Sequence, residues 1–208
     1  MNDISKLMLS AEEQQLVNNH GWILTKRAII DKVCQILANV AEDQKAIIAK
    51  EKDWLPAAVS ATTPKISKGE NYLQLPYVLL DYPRHFEADN IFAVRTMFWW
   101  GNFFSITLQL SGSFKTLFQE KILENMNAVK EDLFICIHEN QWHHHFEENN
   151  YVQVKHLSVK QRQDIVKGNQ FIKLAIKYPL QQWNDIGLLL GKSFKEIIEM
   201  LKDQLPRR

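Results

Sequence analysis

The amino-acid sequence predicts an α+β domain, in which an antiparallel sheet of five to six strands has N- and C-terminal helices packed mainly on one face. Three observations lead to this fold class. Amphipathic helical patterns lie at both ends of the chain, strand-like patterns fill its middle, and the connections between strands contain no regular crossover helices. Antiparallel sheets accept such connections, whereas parallel strands require a long crossover.

The segment from Ile91 to Leu110, IFAVRTMFWWGNFFSITLQL, is expected to form the centre of the core because it contains six aromatic rings. Full burial of a side chain of this kind contributes roughly 1.5 to 3 kcal/mol. Residues 102–110 alternate between apolar and polar side chains, as a half-buried strand does, and residues 91–98 include many strand-forming residues. Gly101 and Asn102 are predicted to form the turn between these two strands.

An N-terminal helical part is predicted over residues 10–50. Ser10 and Glu13 have the spacing of a capping box, which indicates the start of a short helix. A longer amphipathic helix is expected from about Thr25. At the other end of the chain, Ser193 and Glu196 have the same spacing and are predicted to cap the C-terminal helix.

Residues 53–70 are interpreted as a flexible connection, because prolines, a glycine, serines and threonines interrupt any regular pattern there. The segment 170–178 alternates so that one of its faces carries two lysines. The predicted strands are 72–82, 91–98, 102–110, 133–139, 142–157 and 170–178.

Composition indicates one soluble globular domain spanning residues 1–208. The chain is 46% hydrophobic and 24% charged, with a formal net charge of +1. A chain this close to neutral has no global field to attract nucleic acid or an anionic membrane. Polar residues on alternate positions of the segment 91–110 argue against a membrane span. The N-terminus has no apolar run long enough for a signal peptide, so a cytoplasmic location is expected.

One histidine-rich stretch could carry chemistry. Four of the seven histidines fall within eight positions, namely His138, His143, His144 and His145. If residues 133–147 form a hairpin with its tip at residues 140–141, three of them share a face with Cys136, since neighbouring side chains point to opposite sides. His138 would then lie opposite His143, and Cys136 opposite His145.

Such a group, His138, His143, His145 and Cys136, could bind zinc or another nitrogen-seeking divalent ion and leave one coordination position open. The alternative is that these histidines occupy the exposed face of an edge hairpin, where polar side chains prevent pairing with other chains. The sequence favours this alternative. His144 is expected to be a hydrogen-bonded core residue.

Charged residues near two strands form the second candidate site. Asp81, Arg84 and His85 lie at a predicted strand end, where they could bind an anion, although a surface ion pair between Asp81 and Arg84 is the simpler explanation. Arg95 has apolar neighbours on both sides. We therefore expect a partly buried guanidinium that faces a carboxylate, either of the protein or of a ligand.

Three classes of function are compatible with these patterns. The first, which the sequence favours, is a non-catalytic module that binds an apolar or anionic small ligand or a protein partner through an aromatic-rich sheet. Its candidate contact residues are Arg95, Trp99, Trp100, Tyr77, Asp81 and Arg84. The second is a metal-dependent enzyme centred on the histidines. The third, a single-strand nucleic-acid binder, is disfavoured by the neutral charge and by the lack of a ribonucleoprotein consensus.

The known catalytic motifs give no support for an enzyme. The chain has no glycine-rich phosphate loop, no Gly-x-Ser-x-Gly nucleophile elbow, no Cys-x-x-Cys pair and no His-Glu-x-x-His helix. We therefore assign no catalytic residue and no cofactor from sequence. The oligomeric state does not follow from the sequence patterns.

Overall fold

The alternating patterns in the middle of the chain form a single antiparallel sheet. A computed structural model describes residues 7–129 and 132–203, and these contain seven strands and six helices. The strands are β1 (Lys65–Tyr72), β2 (Leu75–Glu87), β3 (Asn90–Trp99), β4 (Phe103–Ser111), β5 (Phe134–Cys136), β6 (Tyr151–Gln153) and β7 (Phe171–Pro179). Their order across the sheet is β1-β2-β3-β4-β7-β5-β6, and every pairing is antiparallel.

The helices lie at both ends of the chain and between strands, as an α+β fold requires. They are α1 (Ala11–Asn18), α2 (His20–Glu51), α3 (Ala57–Ser60), α4 (Gly112–Asn125), α5 (Val159–Gly168) and α6 (Ile186–Met200). Within the described residues, no helix combines the length and apolar character needed to cross a bilayer. Residues 1–6, on which the expected lack of a signal peptide partly rests, lie outside the described residues.

The predicted central hairpin is confirmed. Strands β3 and β4 pair up to Trp99 and Phe103, and the turn between them contains Gly101 with a φ of 72°. Alternate residues of both strands point to the same side of the sheet, where α4 and α6 pack on them and α2 packs on the neighbouring strand β2. The side chains of β4 on this side are fully buried: Phe104, Ile106, Leu108 and Leu110. The helices therefore cover one face and bury the larger of the two hydrophobic clusters.

The second face of the sheet is covered by irregular chain. Residues 137–150, here called the cover segment, connect β5 to β6 and lie across β4 and β7. Phe146 packs its ring against Phe103 at 5.0 Å and against Phe134 at 5.1 Å between ring centroids. Side chains of this face are consequently buried although many of them are polar, among them Ser105, Thr107 and Gln109.

Two predicted segments differ from the structure. The predicted connection 53–70 contains the short helix α3 and most of strand β1, which raises the strand count to seven. Strand β1 is at the edge of the sheet and is largely exposed on both faces, so its sequence lacks an alternating pattern. The predicted strand 142–157 is reduced to Tyr151–Gln153, because the cover segment leaves the plane of the sheet and crosses its face.

Two helix starts also differ. Helix α2 begins at His20 rather than near Thr25, and Asn19 caps it by accepting a hydrogen bond from the backbone N–H of Trp22 at 3.2 Å. The C-terminal capping box is wrong, because α6 begins at Ile186 and Ser193 lies in its buried interior. The Ser193 hydroxyl is instead hydrogen-bonded to the hydroxyl of Tyr178 at 2.5 Å. The Ser10 capping box of α1 is confirmed, with both of its hydrogen bonds present.

Candidate functional site

A buried ion pair joins β2 and β3 beneath the cover segment. Asp81 and Arg95 are direct cross-strand partners, and the guanidinium binds the carboxylate through two hydrogen bonds, Nε to Oδ1 at 2.7 Å and Nη2 to Oδ2 at 3.0 Å. Their side chains are only 9% and 15% exposed. Arg95 therefore faces a carboxylate, as expected, and that carboxylate belongs to the protein.

The predicted ion pair between Asp81 and Arg84 is wrong. A register shift in β2 between these two residues changes the direction in which the following side chains point. Arg84 donates from Nε to the backbone carbonyl of Thr63 at 3.1 Å, in the chain that leads into β1. Arg84 thus contacts the chain next to the edge strand β1 and is not part of the buried ion pair of Asp81 and Arg95.

His144 extends this polar group into the cover segment. Arg95 donates from Nη1 to Nε2 of His144 at 3.2 Å, so the imidazole accepts this bond in its neutral form. The backbone N–H groups of His144 and His145 both donate to the hydroxyl of Tyr72, at 2.6 and 3.1 Å. Burial, together with the positive charges of Lys173 and Arg95, lowers the pKa of His144 well below its ordinary value.

Lys173 attaches the cover segment to β7. Its side chain is 1% exposed, and its Nζ donates to the backbone carbonyls of Gln141 at 2.8 Å and His143 at 2.5 Å. Burial lowers the pKa of this ammonium to about 7, because a charged group loses its hydration in the interior. The alternation of 170–178 places Lys173 on the face opposite the aliphatic core, but sequence gives no sign that irregular chain covers that face.

The histidines come together by a route other than the predicted hairpin. Strand β5 pairs with β6, so that Cys136 lies opposite Tyr151 and not opposite His145. The rings of His138 and His143 nevertheless lie 4.4 Å apart, and those of His143 and His145 lie 5.4 Å apart. Turns of the cover segment, and not the pleat of a sheet, bring these three rings together at interplanar angles of 44° and 40°. This group of rings is here called the histidine cluster.

The Nδ1 atoms of the histidine cluster differ in their hydrogen bonding. Nδ1 of His138 accepts a hydrogen bond from the backbone N–H of Asn140 at 2.9 Å, while Nδ1 of His143 and of His145 are buried without a hydrogen-bond partner. Burial and the neighbouring His143 lower the pKa of His145. In residues 7–129 and 132–203, no three or more His, Cys, Asp or Glu side chains are arranged to hold a metal ion.

The Sγ atom of Cys136 lies 3.8 Å from the backbone carbonyl oxygen of His138, a member of the histidine cluster. This thiol is buried and donates to Oδ1 of Asn150 at 3.4 Å, and burial raises the pKa of the thiol. A thiol whose pKa is raised is a poor nucleophile and a poor metal ligand, since both roles need the thiolate.

The aromatic rings of the central turn are packed and do not line a cavity in the manner expected from sequence. Trp99 is 7% exposed, contacts the rings of Tyr72 and Phe103 at 5.2 and 5.4 Å, and donates from Nε1 to the carbonyl of Tyr72 at 3.2 Å. Trp100 packs perpendicular to Trp22 at 6.3 Å. Neither indole lines the groove between α2 and the first two strands or the groove between the cover segment and β7.

The N-terminal arm, defined as residues 7–24, has large apolar side chains on its surface. Eight of them are at least 43% exposed: Leu7, Met8, Leu9, Leu16, Val17, Trp22, Ile23 and Leu24. Helix α1 has no buried residue, and the first buried residue of α2 is Val33. The arm therefore extends beyond the part of α2 that packs on the sheet.

A groove of about 720 Å³ lies next to this arm, between α2 and the first two strands. Its apolar lining includes Ile23, Leu24, Ile30 and Tyr77. Its charged lining consists of Lys26, Arg27, Asp31, Lys68 and Glu70. Tyr77 is the only one of the six sequence-predicted contact residues that lines this groove. Sequence reasoning missed Ile23 and Leu24, for which the signal was the apolar run in GWIL at a helix start.

Comparison of the chain with protein-family models, with curated proteins and with solved structures finds no match. The structure brings Asp81 and Arg95 together, and it groups His138, His143 and His145, but it separates Tyr77 and Trp100 from both groups.

Proposed function

We propose that the protein is a non-catalytic protein-interaction module that acts through its N-terminal arm, and that the arm docks on a second copy of the same chain. One observation carries the proposal: eight large apolar side chains are exposed within 18 consecutive residues. Single exposed apolar residues are common on protein surfaces, but a contiguous apolar patch is characteristic of an interaction site. The packed state of Trp99 supports protein contact over a small-ligand pocket at that position.

Charge complementarity supports a second copy as the occupant. Helix α1 carries two acidic residues in its first turn, Glu12 and Glu13. The groove is lined by three cations and two carboxylates, and Lys26 and Glu70 among them form an ion pair. Arg27 and Lys68 have no ion-pair partner within the described residues. An α1 helix from a second copy would place its carboxylates next to these two cations. In an isologous dimer the same contact forms twice, which doubles its contribution.

The apolar surfaces fit the same arrangement. Leu16 and Val17 are exposed on α1, whereas Ile23 and Leu24 contribute to the groove. Eight helical residues span about 12 Å, at 1.5 Å per residue, so α1 is short enough to lie against one groove. Burial of such side chains between two copies removes apolar area from water at both sites.

Sedimentation velocity over a range of concentrations tests the proposal. We expect a reversible monomer–dimer equilibrium, which Leu24→Asp weakens by at least tenfold, or about 1.4 kcal/mol. Leu188→Asp is the matched control, because Leu188 is also exposed but lies on α6. Glu12→Lys should weaken the dimer, and adding Arg27→Glu should restore it. A wild-type chain that stays monomeric at high micromolar concentration contradicts the proposal.

Metal analysis of protein purified without an affinity tag tests the competing enzyme hypothesis. We expect much less than one equivalent of zinc, because within the described residues no three or more His, Cys, Asp or Glu side chains are arranged to hold a metal ion. Near-stoichiometric metal that is lost in His143→Ala and His145→Ala would replace the interaction proposal by the metal-dependent one.

A further inference from the structure

A second groove, unrelated to the N-terminal arm, lies where the cover segment meets the start of β7. It has a volume of about 610 Å³ and is open along one side. Its lining includes Glu139, Asn140, Gln141, Trp142, Asn169 and Gln170. The groove thus combines an indole, four side-chain amides and a single carboxylate.

The indole of Trp142 is presented to solvent by a fixed backbone. Trp142 is 46% exposed, and its ring lies 6.4 Å from the ring of Phe86, which is 40% exposed. Lys173 binds the backbone carbonyls on both sides of this residue, those of Gln141 and His143. The backbone N–H of Trp142 donates to Oδ1 of Asn140 at 2.9 Å. An exposed aromatic platform held in this way loses little conformational entropy when a ligand stacks on it.

The polar lining offers hydrogen bonds without positive charge. Oε1 of Gln141 accepts from Gln109 at 2.8 Å, which orients this amide and leaves its NH₂ group available. The side chains of Asn169 and Gln170 have no hydrogen-bond partner within the part of the chain that the structure describes. Each free amide presents one acceptor and two donors to a ligand.

The charge of the groove restricts the class of ligand. Of the residues that line it, Glu139 is the only charged one. A phosphate or carboxylate ligand would meet this negative charge with no cation among the lining residues, because the nearby ammonium groups of Lys115 and Lys173 are bonded to the backbone carbonyls of Asn169 and Gln141. An uncharged ligand with an apolar face and many hydroxyls meets no such penalty.

We infer that this groove is a binding site for a neutral saccharide, whose C–H face stacks on Trp142 while its hydroxyls bond to the amides of Asn140, Gln141, Asn169 and Gln170. A sugar ring presents apolar C–H groups on its faces and hydroxyls at its rim, which matches the indole and the surrounding amides. Because the groove is open along one side, it accepts an internal unit of an oligosaccharide as well as a single ring.

The experiment uses the full chain and a panel of neutral oligosaccharides built from glucose, galactose, mannose and N-acetylglucosamine. Binding is measured by saturation-transfer NMR and by the change in tryptophan fluorescence. We expect at least one probe to bind, with an affinity that falls at least tenfold in Trp142→Ala, several-fold in Asn169→Ala, and little in Trp142→Phe, which keeps an aromatic face.

Two controls make the result decisive. Leu188→Ala, an exposed truncation on α6, should leave sugar affinity unchanged, and unaltered thermal midpoints should show that the groove variants fold. A thymidine octamer is the anionic probe. Failure of the whole panel to bind, equal sugar affinity of wild type and Trp142→Ala, or salt-sensitive binding of the octamer in preference to sugars would each overturn the inference.

Discussion

Lys173 carries its ammonium group into the interior of the protein, and the cost of this burial depends on pH. In the folded chain burial lowers its pKa from the ordinary 10.5 to about 7, whereas in the unfolded chain it keeps the ordinary value. Between these two values the unfolded state binds more protons than the folded state. The free energy of unfolding therefore rises with pH across this window as far as Lys173 is concerned.

Lys173→Met should remove this pH dependence. We expect the free energy of unfolding of wild type, relative to that of the variant, to rise by about 2 kcal/mol from pH 7 to pH 9, at about 1.4 kcal/mol per pKa unit. Urea unfolding at the two pH values measures this difference. Comparison with the variant cancels the opposite effect of Cys136 and Tyr151, since burial raises the pKa of both groups. A difference that does not change with pH would contradict the assignment.

The ion pair between Asp81 and Arg95 is a second feature whose contribution to the free energy of unfolding depends on burial. Asp81→Asn leaves the guanidinium buried without its charge partner, and we expect a loss of about 3 to 5 kcal/mol in the free energy of unfolding. The matched control is Glu42→Gln, which breaks the exposed pair with Lys45 and should cost less than about 1 kcal/mol. Equal losses in the two variants would show that solvent reaches the Asp81 pair.

At the scale of the element, the cover segment is held by the packing of Phe146 and by polar contacts to Lys173, Arg95 and Tyr72, whereas the helices on the opposite face of the sheet are held chiefly by apolar contacts. The histidine cluster lies in this segment, and His144 and His145 have pKa values lowered chiefly by burial. Their imidazoles are neutral when the segment is closed and take up protons more readily when it opens. Because the open state binds more protons, acid favours opening below the ordinary histidine pKa near 6.5.

Amide hydrogen exchange should detect this opening. We expect the opening equilibrium of the amides of His144 and His145, corrected for intrinsic rates, to increase below pH 6.5 by about tenfold per pH unit for each proton that the open state gains. The amides of Ile106 and Leu108 in β4 serve as the internal reference and should keep their protection. In His144→Gln, which does not titrate, the pH dependence should be weaker. Protection of His144 and Ile106 that falls in parallel would indicate global unfolding instead.

For the whole molecule, the two ends of α2 have different roles. Its C-terminal part supplies buried residues to the main hydrophobic cluster, including Val33, Leu37 and Val40. Its first turn belongs to the N-terminal arm and contributes exposed apolar surface. Stability therefore depends on one segment of this helix, and the proposed association uses another.

Leu37→Ala and Leu24→Ala separate these two roles with the same chemical change. Leu37 is fully buried, so its truncation should lower the free energy of unfolding by about 2 to 5 kcal/mol. Leu24 is 57% exposed, so its truncation should change the free energy by less than about 0.5 kcal/mol in dilute monomer, while it weakens the dimer. Denaturant unfolding at low protein concentration provides the measurement. A large loss of monomer stability in Leu24→Ala would mean that the arm is part of the fold.

The sequence predicted the elements in which a regular alternation of apolar residues reflects burial of one face in the core. The β3–β4 hairpin and its turn at Gly101 were predictable because one face of each strand lies in the aliphatic and aromatic core. Strand β1 was not, because an edge strand exposed on both faces has no alternating pattern. The prediction of a capping box at Ser193 failed because α6 begins at Ile186, so that Ser193 lies inside the helix. There its hydroxyl is hydrogen-bonded to that of Tyr178, which the local sequence pattern does not reveal.

The candidate site was likewise predictable only where local sequence features determine it. The sequence by itself determined the α+β class and a partly buried Arg95 in need of a carboxylate, since both follow from local periodicity and from the cost of burying a charge. Only the tertiary structure decided that Asp81 is that carboxylate and that Lys173 is buried. It also decided that the histidines come together in the cover segment and not in a hairpin. These contacts join residues far apart in the chain, and local sequence patterns do not encode which distant backbone carbonyl or side chain an ammonium or guanidinium group will meet.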